Sequence, residues 1–462
     1  MERYHEIQLR DGRGRYLSRA GVLPLKDARG ETEAEVFFTA YELLDEGDRK
    51  QRPLTFVFNG GPGSSSVWLH MGAVGPKRVL MEPEGWMPKP PYQIEENECT
   101  WLDRTDLVFI DPVETGYSRA STEKLVDKFW GYTGDIESVG DFIKLYLTTY
   151  DRWGSPLFLA GESYGTTRAA GLAGDLVDKG VAFNGIVLIS TAINLRPIFF
   201  GLGDDLPFML FVPTYAAAAW YHRCLEEKHL KKDLPEYLRE VSTWAESDLS
   251  VALMKGDRLS AESLESAALK MAEYTGLDPE YVKGSNLRVN IHRFCRELLR
   301  DQRRSIGRLD SRFRGIEADQ VNDMPEYDPA MIAIMPAYTT MFNSYAVSEL
   351  GVETHFPYRI MHHFKERKWK WENGMLPHTG ESLRSAMARN PHMKVLVAQG
   401  YYDLATPHFA TEYMVSHLNL DPEVRRNLSI SYYNAGHMFY LDTESLKAFK
   451  RDIDAFFKEA GP

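Results

Sequence analysis

A serine stands between two glycines in PLFLAGESYGTTRAAG, residues 156–171, where an apolar run gives way to small residues suited to a helix. Gly161, Glu162, Ser163, Tyr164 and Gly165 spell GxSxG, a spacing that fits a tight strand-to-helix turn with the serine oxygen pushed outward. A serine hydroxyl is a weak nucleophile until a base takes its proton, and the base needs an orienting group. Two late loops supply both. Asp403 follows the run KVLVAQ in GYYDLATP, and His437 follows SISYYN in AGHMFYLD. With thirteen histidines in the chain, one such placement carries little weight alone. Serine, aspartate and histidine in that order, each just beyond an apolar run, together point to acyl transfer through a catalytic triad.

Acyl transfer also needs backbone N–H donors for the oxygen that gains charge. FVFNGGPGSSSVW offers one directly after LTFVFN, because Asn59 to Gly63 carry little side-chain bulk and their amides can face a ligand. A tight turn would explain the same glycines, and a phosphate cradle is the rival function. The rival fails on detail, since the lysine of a P-loop and the GxGxxG spacing are both missing.

These residues need a frame. LTFVFN, DLVFID, PLFLAG, GIVLIS, KVLVAQ and SISYYN are mostly apolar throughout, as strands buried on both faces are, and helical stretches such as GDIESVGDFIKLYLTTY supply right-handed crossovers. The first fifty residues alternate polar and apolar positions around glycine-rich turns, which reads as an antiparallel start. From about Thr191 to Glu381 this rhythm yields to charged helical sequence. The expected fold is therefore α/β, of α/β-hydrolase type: a mostly parallel sheet, an antiparallel N-terminal extension and an inserted helical cap over the carboxyl edge, where such sheets bind ligands. The expected division is core at 1–191, cap at 192–380 and core again at 381–462.

Within the insertion, LPFMLFVPTYAAAAWY is too short to span a membrane and holds Pro207 and Pro213, so it reads as a buried or pocket-lining helix. RDQRRSIGRLDSRFRG mixes acids with its arginines and reads as a solvated or salt-bridged face rather than a binding patch. The formal charge of -12, from 54 basic against 66 acidic residues, argues against general affinity for nucleic acid or anionic membrane. Cys99, Cys224 and Cys295 are too few and scattered for a disulfide framework or zinc ribbon and read as reduced thiols. With no apolar signal core at the start, a cytoplasmic location is expected.

NGGPGSSS, DPVETGYS, GESYG, the aspartate of GYYDLATP and AGHM, in this order, resemble the serine carboxypeptidase family, in particular its leaderless bacterial branch. The resemblance runs from about LPLKD to the last helix. It implies a peptidase that removes single residues from peptide C-termini without metal or organic cofactor. Ser163 matches the nucleophile, His437 the general base and then acid, and Asp403 the orienting group. The amides of Gly61 and Tyr164 match the oxyanion hole. Asn59, Gly60 and Glu162 match positions that hold the substrate's terminal carboxylate.

That last match gives the glutamate before the serine a purpose. An ionised Glu162 would repel a chain-terminal carboxylate, whereas a protonated one donates a hydrogen bond to it, and burial favours protonation. The family's second acid falls at Ala73 here, its usual tryptophan at Val57 and its cysteine after GGPG at Ser64. Glu114, in DPVETGYS, is the candidate to supply the missing acid; a solvent-facing loop glutamate is its plain reading. Tyr117, Trp68 and His70 lie near the motifs as core or pocket lining. An esterase or acyltransferase using the same site is the alternative activity, and a non-catalytic binding protein is the reading from another class.

Overall fold

The computed structural model describes every residue except 11, 45, 46, 363–366, 372, 373 and 462. Nine strands make the path of the main sheet: β1 (Glu2–Leu9), β2 (Gly12–Lys26), β3 (Thr32–Leu43), β4 (Leu54–Phe58), β5 (Asp106–Ile110), β6 (Leu157–Glu162), β7 (Gly185–Ile189), β8 (Lys394–Gly400) and β9 (Leu428–Tyr433). They lie in the order β1-β2-β3-β5-β4-β6-β7-β8-β9, with the short strand Arg119–Ala120 paired to β3. From β1 to β5 the pairings are antiparallel, and from β5 to β9 all are parallel. The six parallel strands are the six apolar runs of the sequence.

Side chains alternate across the sheet and feed two cores. Phe56, Phe58, Leu159 and Leu188 join Val139 and Ile143 of α1 (Tyr132–Thr149) and Leu172 of α2 (Tyr164–Asp178) on one face. Val57, Phe158 and Val187 face the other way. They meet Phe342 of α3 (Pro329–Ser348) and Leu446, Phe449 and Ile453 of α5 (Thr443–Ala460). A shorter helix, α4 (Gly380–Arg389), precedes β8.

Strand order fixes where a site can form. The chain passes from β4 to β5 on one side, then returns to β6 on the other, so the loops leaving β4 and β6 diverge and open a crevice at the carboxyl edge. The loop after β4 starts at Asn59, and the turn after β6 holds Ser163.

The stretch expected as a mainly helical cap over the carboxyl edge packs in two parts. Helices Val212–Tyr221, Leu234–Trp244 and Ala261–Thr275 pack with the first core. α3 instead sets Ala337, Tyr338, Phe342 and Tyr345 into the second core, so this part of the insertion covers the sheet's face rather than its edge. LPFMLFVPTYAAAAWY forms two helices, Leu206–Leu210 and Val212–Tyr221, each with a proline in its first turn, where the missing N–H costs nothing. Among the described residues no helix is long and apolar enough to cross a membrane. In the arginine-rich stretch Arg300 pairs with Glu297, and Arg312 is buried rather than solvated because Asp310 and Asp442 neutralise it.

Candidate active site

Ser163 ends β6 and opens α2 with φ 59° and ψ -127°, a strained backbone for a residue with a Cβ. The flanking glycines make the strain possible. A Cβ on Gly161 would stand 2.2 Å from the Gly165 carbonyl oxygen, and one on Gly165 would stand 2.9 Å from that of Phe58. Neighbouring β7 holds the turn, since the Ser163 amide donates to the Ile189 carbonyl at 2.9 Å. The next residue, Ser190, donates its hydroxyl to the His437 carbonyl at 2.6 Å, so a two-residue bridge joins the serine turn to the histidine loop.

His437 Nδ1 donates to Asp403 Oδ2 at 2.7 Å, which fixes its tautomer and leaves Nε2 to act as base. Burial, the strongest influence, pulls the imidazole pKa down. The charge and hydrogen bond of Asp403, helped by Glu162, outweigh it and hold the pKa above the ordinary 6.5. Asp403 is wholly buried and fully used: Oδ1 accepts from the amides of Ala405 (2.7 Å) and Thr406 (2.9 Å), and Oδ2 accepts from the Thr406 hydroxyl at 2.6 Å. Gln399, the last polar side chain of β8, donates to Asp403 at 3.3 Å and to the Thr406 carbonyl at 2.5 Å. Thr406 Oγ1 lies 3.3 Å from His437 Nδ1 and lines the same cavity as Ser163, so a single threonine links the histidine–aspartate pair to the cavity that holds the serine.

The loop after β4 lies against the start of α2. A Cβ on Gly60 would stand 2.4 Å from the Tyr164 nitrogen, so only glycine permits the approach. Arg168, one turn into α2, clamps the loop by donating to the Asn59 carbonyl at 2.7 Å while pairing through two nitrogens with Asp135 of α1. Among the described residues the amides of Gly61 and Tyr164 have no acceptor in the protein, and both residues line the cavity beside Ser163. Two free donors beside a nucleophile can receive a developing oxyanion.

Glu162 is buried behind the serine. Burial pushes its carboxyl up to about 7, against the pull of His437, Tyr440 and Asn59 and with Asp403 adding to the rise. Tyr440 donates to Glu162 Oε2 at 2.5 Å. Asn59 accepts the Leu69 amide at 3.0 Å; its own amide nitrogen is near enough to favour the Glu162 anion yet completes no hydrogen bond of ordinary geometry. Glu114 is not brought to Glu162. It pairs with Arg359 and accepts the Ala120 amide at 3.0 Å, because a cation and a backbone donor already satisfy it where it lies. Tyr440 stands instead beside the position lacking an acid: a Cβ on Gly72, next to Ala73, would meet its ring at 2.8 Å.

The cavity holds about 460 Å³ and is mainly apolar, walled by Leu195, Ile198, Phe199, Trp369 and Trp371. His70 and Trp68 belong to the core: His70 stacks on Phe109 at 4.2 Å and bonds Tyr41, and Trp68 packs on Tyr338. Tyr117 packs edge-on against Phe37 and Tyr358.

Sequence reading missed a segment of the insertion that stitches the late loops together. The Leu309 carbonyl accepts the His437 amide at 2.6 Å, and that of Arg308 accepts the Leu404 amide at 3.0 Å. Asp310 accepts the Gly436 amide at 2.9 Å, the Ser311 amide donates to the Tyr402 carbonyl at 2.9 Å, and Arg312 donates to the Asn434 carbonyl at 3.0 Å. A Cβ on Gly436 would stand 2.4 Å from the Leu309 carbonyl oxygen, so the glycine of AGHM is what admits the segment.

A mostly parallel sheet with a serine at a strained strand-to-helix turn and a histidine backed by a buried aspartate defines the class as α/β-hydrolase. A serine carboxypeptidase family model matches residues 18–437, and the chain belongs to that family. The pheromone-processing carboxypeptidase KEX1 of Saccharomyces cerevisiae is 31% identical over 157 residues, 31% of this chain and 20% of that protein. The corresponding protein of Neosartorya fischeri is 26% identical over 217 residues, 45% of this chain and 30% of its own length. The matches thus span less than a third of these relatives. The crystal structure of the Saccharomyces cerevisiae prohormone-processing carboxypeptidase shares the fold, with a TM-score of 0.60 and 16% identity over 96% of this chain and 91% of that one.

Proposed function

We propose that the chain is a serine-type carboxypeptidase that hydrolyses C-terminal residues from peptides through an acyl-enzyme. His437 Nε2 takes the Ser163 proton as the oxygen attacks the last peptide carbonyl, and Asp403 stabilises the imidazolium that forms. The amides of Gly61 and Tyr164 receive the oxyanion. The imidazolium then protonates the departing amino acid, and water, activated by the same imidazole, releases the shortened peptide.

The observation that carries the carboxypeptidase reading is the buried Glu162 carboxyl, held up to about 7 directly beside the nucleophile. In its neutral form it donates to a chain-terminal carboxylate, together with the unpartnered Asn59 amide. The mainly apolar cavity favours a second reading, an esterase or acyltransferase that takes apolar acyl groups at the same serine. The test is incubation with a mixed peptide library and mass spectrometry of the products, with Ser163→Ala as control. Stepwise C-terminal shortening that vanishes in the control is expected. Equal turnover of free-acid peptides and their C-terminal amides would favour the second reading, and an unshortened library overturns the first.

A further inference from the structure

We propose that Arg308 and Lys368 select peptides that carry an acidic side chain in one of their last two residues, beside an apolar one. The proposal rests on the carboxypeptidase reading above and adds the substrate class.

Among the described residues, the charged side chains lining the cavity at Ser163 are these two cations, in a chain whose net charge is -12. Both are exposed, and neither side chain forms an ion pair or hydrogen bond among the described residues. Their neighbours do not share this state. Arg367 and Lys370, on either side of Lys368, both pair with Asp127, and Arg312, four residues after Arg308, pairs with Asp310. Arg308 and Lys368 have no such side-chain partner among the described residues, although the Arg308 charge also acts on the buried carboxylate of Asp328.

Arg308 is also held in place. Its amide donates to Asp328 at 3.2 Å and its carbonyl accepts the Leu404 amide, while its guanidinium stays close enough for its charge to act on His437. The same cavity is walled mainly by apolar residues, with Leu195, Phe199, Trp369 and Trp371 among them. Two cations on a mainly apolar pocket complement a ligand that is apolar and anionic together, and such complementarity sets specificity more than affinity.

A carboxylate reaches this cavity from a side chain or from the peptide terminus itself, and the experiment separates the two. kcat/KM is measured for blocked peptides ending Phe-Glu, Phe-Gln, Glu-Phe and Gln-Phe, each as free acid and as amide, with wild type and Arg308→Gln/Lys368→Gln. Two exposed ion pairs predict a Glu-over-Gln preference of roughly three- to thirty-fold in at least one position. Wild-type preference should shrink in molar salt, and the double variant should bring the ratio close to one. Wild type that treats Glu and Gln alike, or a double variant that keeps the preference, overturns the proposal. So does a double variant that loses free-acid over amide selectivity equally for Glu and Gln peptides, which assigns the cations to the terminus. Release of no C-terminal residue from any peptide overturns the carboxypeptidase reading and this proposal with it.

Discussion

The Tyr440 hydroxyl donates to Glu162 Oε2 across 2.5 Å, with both residues buried. The bond favours the carboxylate and burial favours the acid; burial wins and leaves the group near 7. In the proposed role Glu162 donates to a substrate carboxylate below that pH, and above it two negative charges would face each other. kcat/KM for free-acid peptides should therefore fall as pH rises through about 7, while amide or ester substrates fall less. Tyr440→Phe removes a group that favours ionisation, so its falling limb should move to higher pH. Matching profiles for the two substrate classes would sink this account of Glu162.

Stability should carry the same signature. Because the folded-state pKa of Glu162 is raised from 4.5 to about 7, its contribution is complete below 4.5 and is lost as pH rises through 7. Glu162→Gln keeps an acceptor for Tyr440 and has no proton to lose. Its Tm relative to wild type should rise between pH 4 and pH 8 by a few degrees. A constant difference over that range would place the titration on another group.

The aspartate contacts rank the next substitutions. Asp403→Asn should lower kcat by about 10⁴ through loss of the correct imidazole tautomer. Thr406→Val leaves Asp403 and His437 in place but removes the hydroxyl 2.6 Å from Asp403 and 3.3 Å from His437, for a loss of roughly ten-fold. Steady-state kinetics showing Thr406→Val as damaging as Asp403→Asn would mean that the threonine does more than support the carboxylate.

Gly60→Ala tests the oxyanion geometry through the backbone. The added Cβ, 2.4 Å from the Tyr164 nitrogen, must push the loop away from α2 and spoil the alignment of two amides. A fall in kcat of about 10²–10³ is expected while the protein stays folded by circular dichroism. Unchanged turnover would remove the Gly61 amide from the mechanism.

The stitch at residues 308–312 predicts a pairwise effect. Asp310→Ala leaves the buried Arg312 without its principal partner, at a cost of about 3–5 kcal/mol. Adding Arg312→Met should recover much of that stability. It should not restore kcat, because the Gly436 amide still lacks its acceptor one residue before His437. Denaturant titrations and kinetics on the same three proteins would settle it, and joint recovery of kcat and stability would reduce the segment to a packing role.

What could be read in advance followed from local pattern. β4, β6, β8 and β9 announce themselves as apolar runs, and once their ends are known, Ser163, Asp403 and His437 fall into file. Other parts depend on partners that no spacing reveals. Tyr440 lies only three residues after His437, yet its meaning comes from a glutamate 278 positions away. Arg312 resembles its solvated neighbours by composition, and only Asp310 and Asp442 bury it. Glu114 has the right charge in the right motif, but Arg359, 245 positions on, claims it. α3 falls inside an insertion that reads as charged and helical, and nothing in its spacing says that it packs on the sheet's face.

The stitch also sets where this chain tolerates recombination. A chimera that exchanges the helices between 212 and 297 for those of a relative retains the anchorage of both late loops, whereas a graft whose boundary falls inside 308–312 severs it. Diversifying the pocket by swapping insertions therefore has a fixed downstream limit, ahead of Arg308, and variants cut beyond it should fold their sheet yet turn over nothing.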